Sequence, residues 1–316
     1  MNPTVRSITE QFPYWQLAEA PAPLSRRTQH VLLGCGTSYY LAQSVAAALN
    51  GAGVPGLAVP GGEWLARPEA YLPAGTPAHV IAFSRSGEST ETVQAAGRSR
   101  AAGLRVTALT CAPGSAITRH ADEVLCSETH PEEGIVMTAS ASLMLLAGLR
   151  LAGLELEDAD IRASWALLEE AGARYPSLIG GRTHFVFLGA GPLYGIAQEG
   201  ALKLQEMSLT YTQAYHPLEY RHGPISLVDE HTVVVLLSHP DGGAEEAHLV
   251  QDVRSKGARV LTFGGDGDLG LDLPPDPLKR AVMVLPALQM LGECVAQAKG
   301  LDTTAPRWLT KVVTLA

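Results

Sequence analysis

Short runs of consecutive apolar residues alternate along the chain with longer segments in which apolar residues recur at helical spacing. Residues 30–49 and 78–96 each combine an apolar run, a glycine-containing turn and an amphipathic segment, which predicts a strand, a turn and a helix in that order. Strands that alternate with helices predict an α/β fold, in which helices cover both faces of a parallel sheet. The pattern also predicts strands at 56–59, 104–110 and 121–128, a leading helix and a proline-rich loop within 1–27, and a buried helix within 134–149.

The same pattern restarts in the second half of the chain. Gly34 corresponds to Gly189 and Gln43 to Gln198, and each pair is 155 positions apart (189 − 34). Features that keep their order at one offset predict two copies of one βαβ-type domain. An acidic, alanine-rich helix near 154–171 is predicted to join them.

Composition limits the classes of function. The chain has 316 residues, of which 46% are hydrophobic and 17% charged, as in a well-packed globular protein with two domains. Its net charge of −9 argues against nucleic acid as a partner, because phosphate contacts need clustered lysine and arginine. The four cysteines show no paired spacing, so we expect free thiols in the cytoplasm. We expect no membrane span, because the apolar runs are too short to cross a bilayer.

A turn rich in hydroxyl groups, Ser84-Arg-Ser-Gly-Glu-Ser-Thr, follows one predicted strand and opens a helix. The free N–H groups at a helix N-terminus favour an anion, and Gly87 lets the backbone approach a ligand closely. No P-loop lysine follows, so a phosphate monoester fits this turn better than a nucleotide does. The alternative is a plain serine or threonine N-cap.

A second strand-to-helix turn, Gly34-Cys-Gly-Thr-Ser, resembles part of a dinucleotide fingerprint. It lacks the third glycine and the acidic residue expected about 20 positions later. We therefore expect no nucleotide cofactor, and Thr37 and Ser38 become candidates for hydrogen bonds to sugar hydroxyls.

The helix and loop over residues 198–224 carry the densest set of chemical groups. One face of the predicted helix presents charged and polar side chains at spacings of four, three and four: Glu199, Lys203, Glu206 and Thr210. His222 follows in a loop and directly precedes a Gly-Pro turn signal. The alternative is a solvated helix face with ion pairs between successive turns.

Lys311 lies near the end of the chain, where a lysine usually belongs to a fraying terminus. Apolar residues surround it and predict a docked tail instead: Trp308, Leu309, Val312 and Val313.

Together these motifs resemble the sugar isomerase (SIS) domain family, in particular the isomerase half of glucosamine-6-phosphate synthase and the stand-alone aminosugar-phosphate deaminases. The resemblance covers six segments: 34–38, 84–92, 132–138, 199–206, 219–224 and 302–311. It implies two tandem SIS domains, each a parallel sheet flanked by helices in an αβα sandwich of the flavodoxin-like type. Domain 1 would span 1–155, domain 2 would span 156–300, and a tail at 301–316 would cover the active site.

The resemblance also implies a role for each matching residue. Glu206 would be the base that moves a proton between C1 and C2, with Lys203 beside it. His222 would assist ring opening from the neighbouring subunit of a homodimer with shared active sites, and Lys311 would arrive on the tail. No metal or cofactor is implied. Ser84, Ser86 and Ser89, with the backbone at Arg85, would hold the sugar phosphate. The sugar would contact Thr37, Ser38 and the backbone near Ile135.

The sequence departs from the synthase pattern near the substrate. Arg85 stands where the synthase has glutamine, Ser89 replaces a threonine, and Met137 and Ala139 stand in place of serine and lysine. Because an N-terminal glutaminase domain is not part of the sequence, we expect no glutamine-dependent synthesis. The expected reaction converts a hexosamine 6-phosphate to a ketose 6-phosphate with release of ammonia. The alternatives are a simple phosphosugar isomerase, a deglycase for a sugar-phosphate–amine adduct, and a non-catalytic sugar-phosphate sensor.

Overall fold

The computed structural model describes residues 2–17, 21–22 and 24–314. The chain forms two compact units, and each unit draws on two separate parts of the sequence. The first unit consists of Glu10–Glu155 and Trp308–Ala316, and the second of Met1–Thr9 and Leu156–Arg307.

The first unit is built on a five-stranded parallel sheet in the order β2-β1-β3-β4-β5. Its strands are β1 Gln29–Gly34, β2 Gly56–Pro60, β3 Ala78–Phe83, β4 Arg105–Thr110 and β5 Glu123–Cys126. Its helices are α2 Phe12–Leu17, α3 Thr37–Gly51, α4 Gly61–Ala66, α5 Thr90–Ala101 and α6 Ala139–Leu151.

Helices cover both faces of this sheet, because its strands are apolar on both sides. Val31 and Val80 face the layer formed by α4 and α5, where Trp64 belongs to the same buried cluster. Helices α3 and α6 pack against each other, and α6 approaches the sheet closely at Gly148. A Cβ atom there would lie 3.2 Å from the ring of Phe83.

The second unit has the same architecture, with a five-stranded parallel sheet in the order β10-β9-β8-β6-β7. Its strands are β6 His184–Gly189, β7 Thr212–Tyr215, β8 Thr232–Leu237, β9 Arg259–Phe263 and β10 Leu269–Leu271. Its helices are α1 Pro3–Thr9, α7 Asp158–Ile179, α8 Pro192–Ser208, α9 Pro217–Tyr220, α10 Gly243–Ser255 and α11 Pro277–Ala298. Read from β7 to β10, the order matches that of the first sheet, so the predicted α/β class with two tandem domains is confirmed.

Two sequence predictions need correction. The predicted single leading helix is two short helices, α1 and α2, which belong to different units. We expected no apolar run long enough to cross a membrane, but α11 is long and apolar enough by length and composition. The charged residues within α11 hide the apolar run in the sequence. In the structure 78% of its most apolar window is buried, and it packs against α7 and α8 as a core helix.

Candidate active site

The first unit places two hydroxyl-bearing turns at the carboxyl ends of neighbouring strands, β1 and β3. Strand β1 is flanked by β2 on one side and β3 on the other, so the chain order reverses at this position. In open α/β sheets, ligands bind beyond the carboxyl ends of strands at such a switch point. Thr37 and Ser38 follow β1, and the segment 84–90 follows β3, so both turns lie after strands as the sequence predicted.

The turn after β3 is stabilised by hydrogen bonds within the first unit. The Ser84 N–H donates to the Leu109 carbonyl (3.0 Å), and the Gly87 N–H donates to Ser84 Oγ (3.1 Å). Gly87 has a φ of 64°, and a Cβ atom there would lie 1.9 Å from Ser115 Oγ. Only glycine therefore fits at this position, where the backbone packs directly against Ser115. The close approach of this backbone to a ligand stays a prediction.

The serines of this turn differ in exposure. Ser84 is buried and accepts a hydrogen bond within the turn, whereas Ser86 and Ser89 are partly exposed. Ser89 occupies the N-cap position of α5 but makes no side-chain cap hydrogen bond, so the plain N-cap alternative is wrong for this residue. Ser86 Oγ likewise accepts a hydrogen bond within the turn, from the Glu88 N–H (3.2 Å). The partly exposed Ser86 and Ser89 hydroxyls can still donate to a ligand.

The turn after β1 is equally constrained. Thr37 and Ser38 are the first residues of α3, and both are buried. A Cβ atom on Gly34 would lie 2.4 Å from the Ser38 carbonyl carbon, so the helix starts directly against the end of the strand. Ile135 is partly buried in the loop that joins β5 to α6.

The C-terminal segment that carries Lys311 belongs to the first unit. The Lys311 ammonium donates to the Glu133 carbonyl (3.1 Å), and its own carbonyl accepts from Arg85 Nη2 (3.0 Å). Trp308, which we expected to dock the tail through apolar contact, is 89% exposed. Hydrogen bonds hold this segment instead.

Glu133 is the residue that the sequence analysis missed. Its buried carboxylate accepts hydrogen bonds from Ser140 N (3.1 Å), Ser140 Oγ (2.9 Å) and Thr138 Oγ1 (3.1 Å). It therefore serves as the N-terminal cap of α6. An acidic residue six positions before an apolar helix was the available signal, but the loop geometry was needed to interpret it.

In the second unit, helix α8 carries a buried ion-pair cluster. Lys203 Nζ lies 3.5 Å from Glu199 Oε1, and the two side chains are 1% and 0% exposed. The same ammonium donates a hydrogen bond to the Glu206 carboxylate, which is 21% exposed. The solvated-face alternative is therefore wrong, because only Glu206 reaches solvent.

The end of α8 corrects one further prediction. The helix ends at Ser208, and Leu209 adopts a left-handed conformation with a φ of 50°. Thr210 therefore lies beyond the helix and does not share the face of Glu206. Instead, Ser208 and Thr210 are joined by a hydrogen bond of 2.7 Å between their hydroxyl groups.

His222 lies in the loop that follows the short helix α9. Its N–H donates to the Glu219 carbonyl (3.0 Å), and Gly223 follows with a φ of 122°. His222 is exposed, so the imidazole is accessible for a substrate or for another chain.

The thiols near the first-unit turns are poor nucleophiles. Burial raises the pKa of Cys35, and a hydrogen bond with Thr92 offsets this in part. Burial likewise raises the pKa of Cys111, and the nearby Glu133 adds to the effect. Among the residues that the structure describes, no three His, Cys, Asp or Glu side chains are arranged to hold a metal ion.

Known proteins with similar sequences indicate the family of the chain. The sequence profile of the SIS domain matches residues 24–152 and 178–268. The chain is 33% identical over 266 residues to a glutamine–fructose-6-phosphate aminotransferase (isomerizing) of Thermus thermophilus, covering 75% of this chain and 44% of that protein. A Xylella fastidiosa protein of the same name is 31% identical over 90% of this chain and 51% of its own length. The chain thus spans about half the length of these curated relatives.

Solved structures match over most of the chain. A crystal structure of glucosamine-6-phosphate deaminase from Thermotoga maritima has a TM-score of 0.84 and 28% identity, covering 99% of this chain and 100% of that chain. The tagatose-6-phosphate ketose/aldose isomerase of Escherichia coli shares the fold, with a TM-score of 0.74 at 24% identity over 94% of this chain and 90% of that chain. The chain therefore belongs to the SIS domain family.

Proposed function

We propose that the protein is a sugar-phosphate enzyme that converts a hexosamine 6-phosphate and water to a ketose 6-phosphate and ammonia. The similarity to the Thermotoga maritima deaminase supports this reaction, because it extends over the whole of both chains. The observation that carries the proposal is the position of Glu206, a partly exposed carboxylate held by the buried ammonium of Lys203.

Glu206 is the proposed base. In the open-chain substrate, its carboxylate takes the proton from C2, next to the C1 aldehyde, while O1 takes a proton from water, so that an enolamine forms. The Glu206 carboxyl then delivers its proton to C1, and the nitrogen loses a proton to the hydroxide, which leaves an imine at C2. Water adds to this imine, and ammonia leaves. A carboxylate in a fixed position suits such a transfer, and Lys203 fixes it through the ion pair.

The other predicted residues assist the same substrate in this proposal. Ser86 and Ser89 bind the phosphate with N–H groups of their turn, and Thr37 and Ser38 contact the sugar. His222 assists ring opening. The Lys311 ammonium stabilises negative charge that develops on oxygen in the transition state, as a positioned cation does in general.

The proposal extends to assembly and location. We propose a homodimer in which His222 serves the active site of the partner chain, because the imidazole is exposed and lies outside the helix that carries Glu206. We place the enzyme in the cytoplasm, since its four cysteines are free thiols.

The direct test is an ammonia-release assay with purified protein and a panel of phosphorylated sugars. Glucosamine 6-phosphate should yield equal amounts of ketose 6-phosphate and ammonia. Ketose–aldose interconversion without ammonia would identify a simple isomerase. Release of the bound amine, and not of ammonia, from a sugar-phosphate–amine adduct would identify a deglycase. Binding without turnover would leave a sugar-phosphate sensor. The Glu206→Gln variant is the negative control for turnover.

A further inference from the structure

The Arg85 side chain connects the turn at residues 84–90, here called the phosphate turn, to the C-terminal segment at residues 308–314. Its Nη2 donates to the Lys311 carbonyl (3.0 Å) and its Nη1 to the Gly134 carbonyl (3.1 Å). One guanidinium group therefore bridges two chain segments that contribute to the candidate site of the first unit. The side chain is largely buried, since the residue is 8% exposed.

Hydrogen bonds hold the backbone of Arg85 in place. The Arg85 carbonyl accepts a hydrogen bond from the Cys111 N–H (3.1 Å) and another from Thr110 Oγ1 (3.2 Å). Both partners lie at the end of β4, so the backbone of Arg85 is tied to the sheet. The side chain consequently leaves from a rigid position.

The acceptor loop is rigid as well. Gly134 follows Glu133, whose carboxylate is tied to the start of α6 by Ser140 and Thr138. The Glu133 carbonyl accepts a hydrogen bond from the Lys311 ammonium. Lys311 is thus held from two sides, by Arg85 at its backbone carbonyl and by the Glu133 loop at its side chain.

A third contact joins the same segment to the helix that begins in the phosphate turn. The Thr90 N–H, at the first position of α5, donates to the Val313 carbonyl (3.3 Å). The segment from Lys311 to Val313 therefore lies along the turn that carries Ser86 and Ser89.

We propose that Arg85 is a positioning residue, whose guanidinium couples the phosphate turn to the segment that carries Lys311. The role of Lys311 in this inference rests on the proposed function. The hydrogen bond from Arg85 to the Lys311 carbonyl does not depend on that function. Arginine suits the position because its planar guanidinium carries donors on three nitrogens, so two carbonyls can accept from it at once. Glutamine, which the synthase pattern has at this place, has a shorter side chain with a single donor nitrogen.

The proposal distinguishes the side chain of Arg85 from a phosphate ligand. Both guanidinium contacts described here run to backbone carbonyls, so removing them should displace Lys311 while the serine hydroxyls of the turn remain in place. The kcat should therefore fall, and the KM for the sugar phosphate should change little. A direct phosphate ligand would show the opposite division between kcat and KM.

The test compares Arg85→Gln, Arg85→Lys and the wild type by hydrogen exchange of residues 308–314 in the ligand-free protein. Arg85→Gln should raise exchange in this segment by about 10-fold, as expected for the loss of a stabilising charge-assisted hydrogen bond. Arg85→Lys keeps the charge but not the fork, and should give an intermediate value. Arg100→Gln is the matched control, because Arg100 donates to the Arg119 carbonyl (2.9 Å) at an exposed position of the same unit.

Kinetics complete the experiment. For Arg85→Gln we expect kcat to fall by about 10-fold or more while KM stays within about 3-fold of the wild type. Unchanged exchange in both Arg85 variants would overturn the coupling, and so would a raised KM with unchanged kcat. If the wild type lacks deaminase activity, the exchange measurement still decides whether Arg85 holds the segment, so failure of the proposed function is recognised separately. If Arg85→Gln does not fold, Arg85→Lys alone decides by the same criteria.

Discussion

Lys203 and Glu199 form an ion pair inside helix α8, with 3.5 Å between Nζ and Oε1 and with both side chains buried. The same ammonium holds the Glu206 carboxylate, which reaches solvent. The buried pair of Glu199 and Lys203 thus fixes the position of the Glu206 carboxylate. This arrangement connects the stability of the second unit to the orientation of the proposed base.

Lys203→Met should therefore destabilise the second unit as well as reduce activity. Removing one partner of a buried ion pair typically costs about 3–5 kcal/mol, because a buried charge loses its compensation. Urea unfolding should show a lower midpoint. Lys256→Met is the control, since Lys256 pairs with Asp252 on an exposed surface, where such pairs contribute below about 1 kcal/mol. Equal effects of the two substitutions would contradict the buried-charge explanation.

The second prediction concerns the phosphate. The double variant Ser86→Ala, Ser89→Ala should weaken sugar-phosphate binding by about 10- to 1,000-fold, with a loss of about 1–2 kcal/mol per charge-assisted hydrogen bond. Titration calorimetry with the phosphorylated sugar measures this, and the same sugar without phosphate is the control ligand. If the wild type binds both sugars equally, the turn does not recognise phosphate.

The third prediction concerns the base. Glu206→Gln keeps the shape of the side chain and removes its ability to take a proton, so turnover should fall by roughly 100-fold or more while binding persists. Glu170→Gln, at an exposed carboxylate of α7, should leave turnover unchanged. Loss of binding with unaltered residual turnover would assign Glu206 a structural role.

The fourth prediction concerns sharing of the active site between chains. If Glu206 and His222 of one site come from different chains, a mixed dimer of Glu206→Gln and His222→Ala contains one site with both residues intact. With random pairing about half of the dimers are mixed, so roughly a quarter of the wild-type activity should return. Each variant expressed alone is the control. No recovery in mixed preparations, or full activity in a stable monomer, would place both residues in one chain.

The fifth prediction concerns pH. Burial lowers the pKa of His79 to about 4, and the neighbouring His30 adds to the effect. The unfolded chain binds this proton near the ordinary value of about 6.5. Between these values the unfolded state holds more protons, so the stability of the first unit should fall as pH drops from about 6.5 to about 4, and the contribution should level off below that.

This can be measured as the urea midpoint across that pH range for the wild type and His79→Leu. The variant should show a flatter pH dependence, since the titrating group is gone. His231→Gln, at an exposed histidine of the second unit, serves as the control. An identical slope in the wild type and His79→Leu would show that other groups dominate.

Local pattern was enough to predict the strands, the two hydroxyl-bearing turns and helix α8, because each depends on residues close in sequence. The apolar run before Ser84 predicts a buried strand, and Gly87 predicts a backbone conformation that other residues avoid. The matching order of features around Gly34 and Gly189 predicted two similar domains. The structure confirms the parallel α/β architecture on these grounds.

The sequence alone did not show which charges are buried. Glu199, Lys203 and Glu206 have the same spacing in a solvated helix as in a buried one. The first two are buried in the structure, where α8 packs against α11, β6 and β7. Thr210 left the helix face because Leu209 turns the chain after Ser208. Helical spacing cannot signal such a termination, since leucine is an ordinary helix-forming residue.

The contacts of Arg85 depend most completely on tertiary structure. Its partners lie 49 and 226 positions away in the sequence, and no local periodicity links residues so far apart. The sequence determined that an arginine follows the strand and that a lysine lies near the C-terminus. The tertiary structure decided that they meet, because folding of the first unit brings the end of β3, the Glu133 loop and the C-terminal segment to the same edge of the sheet.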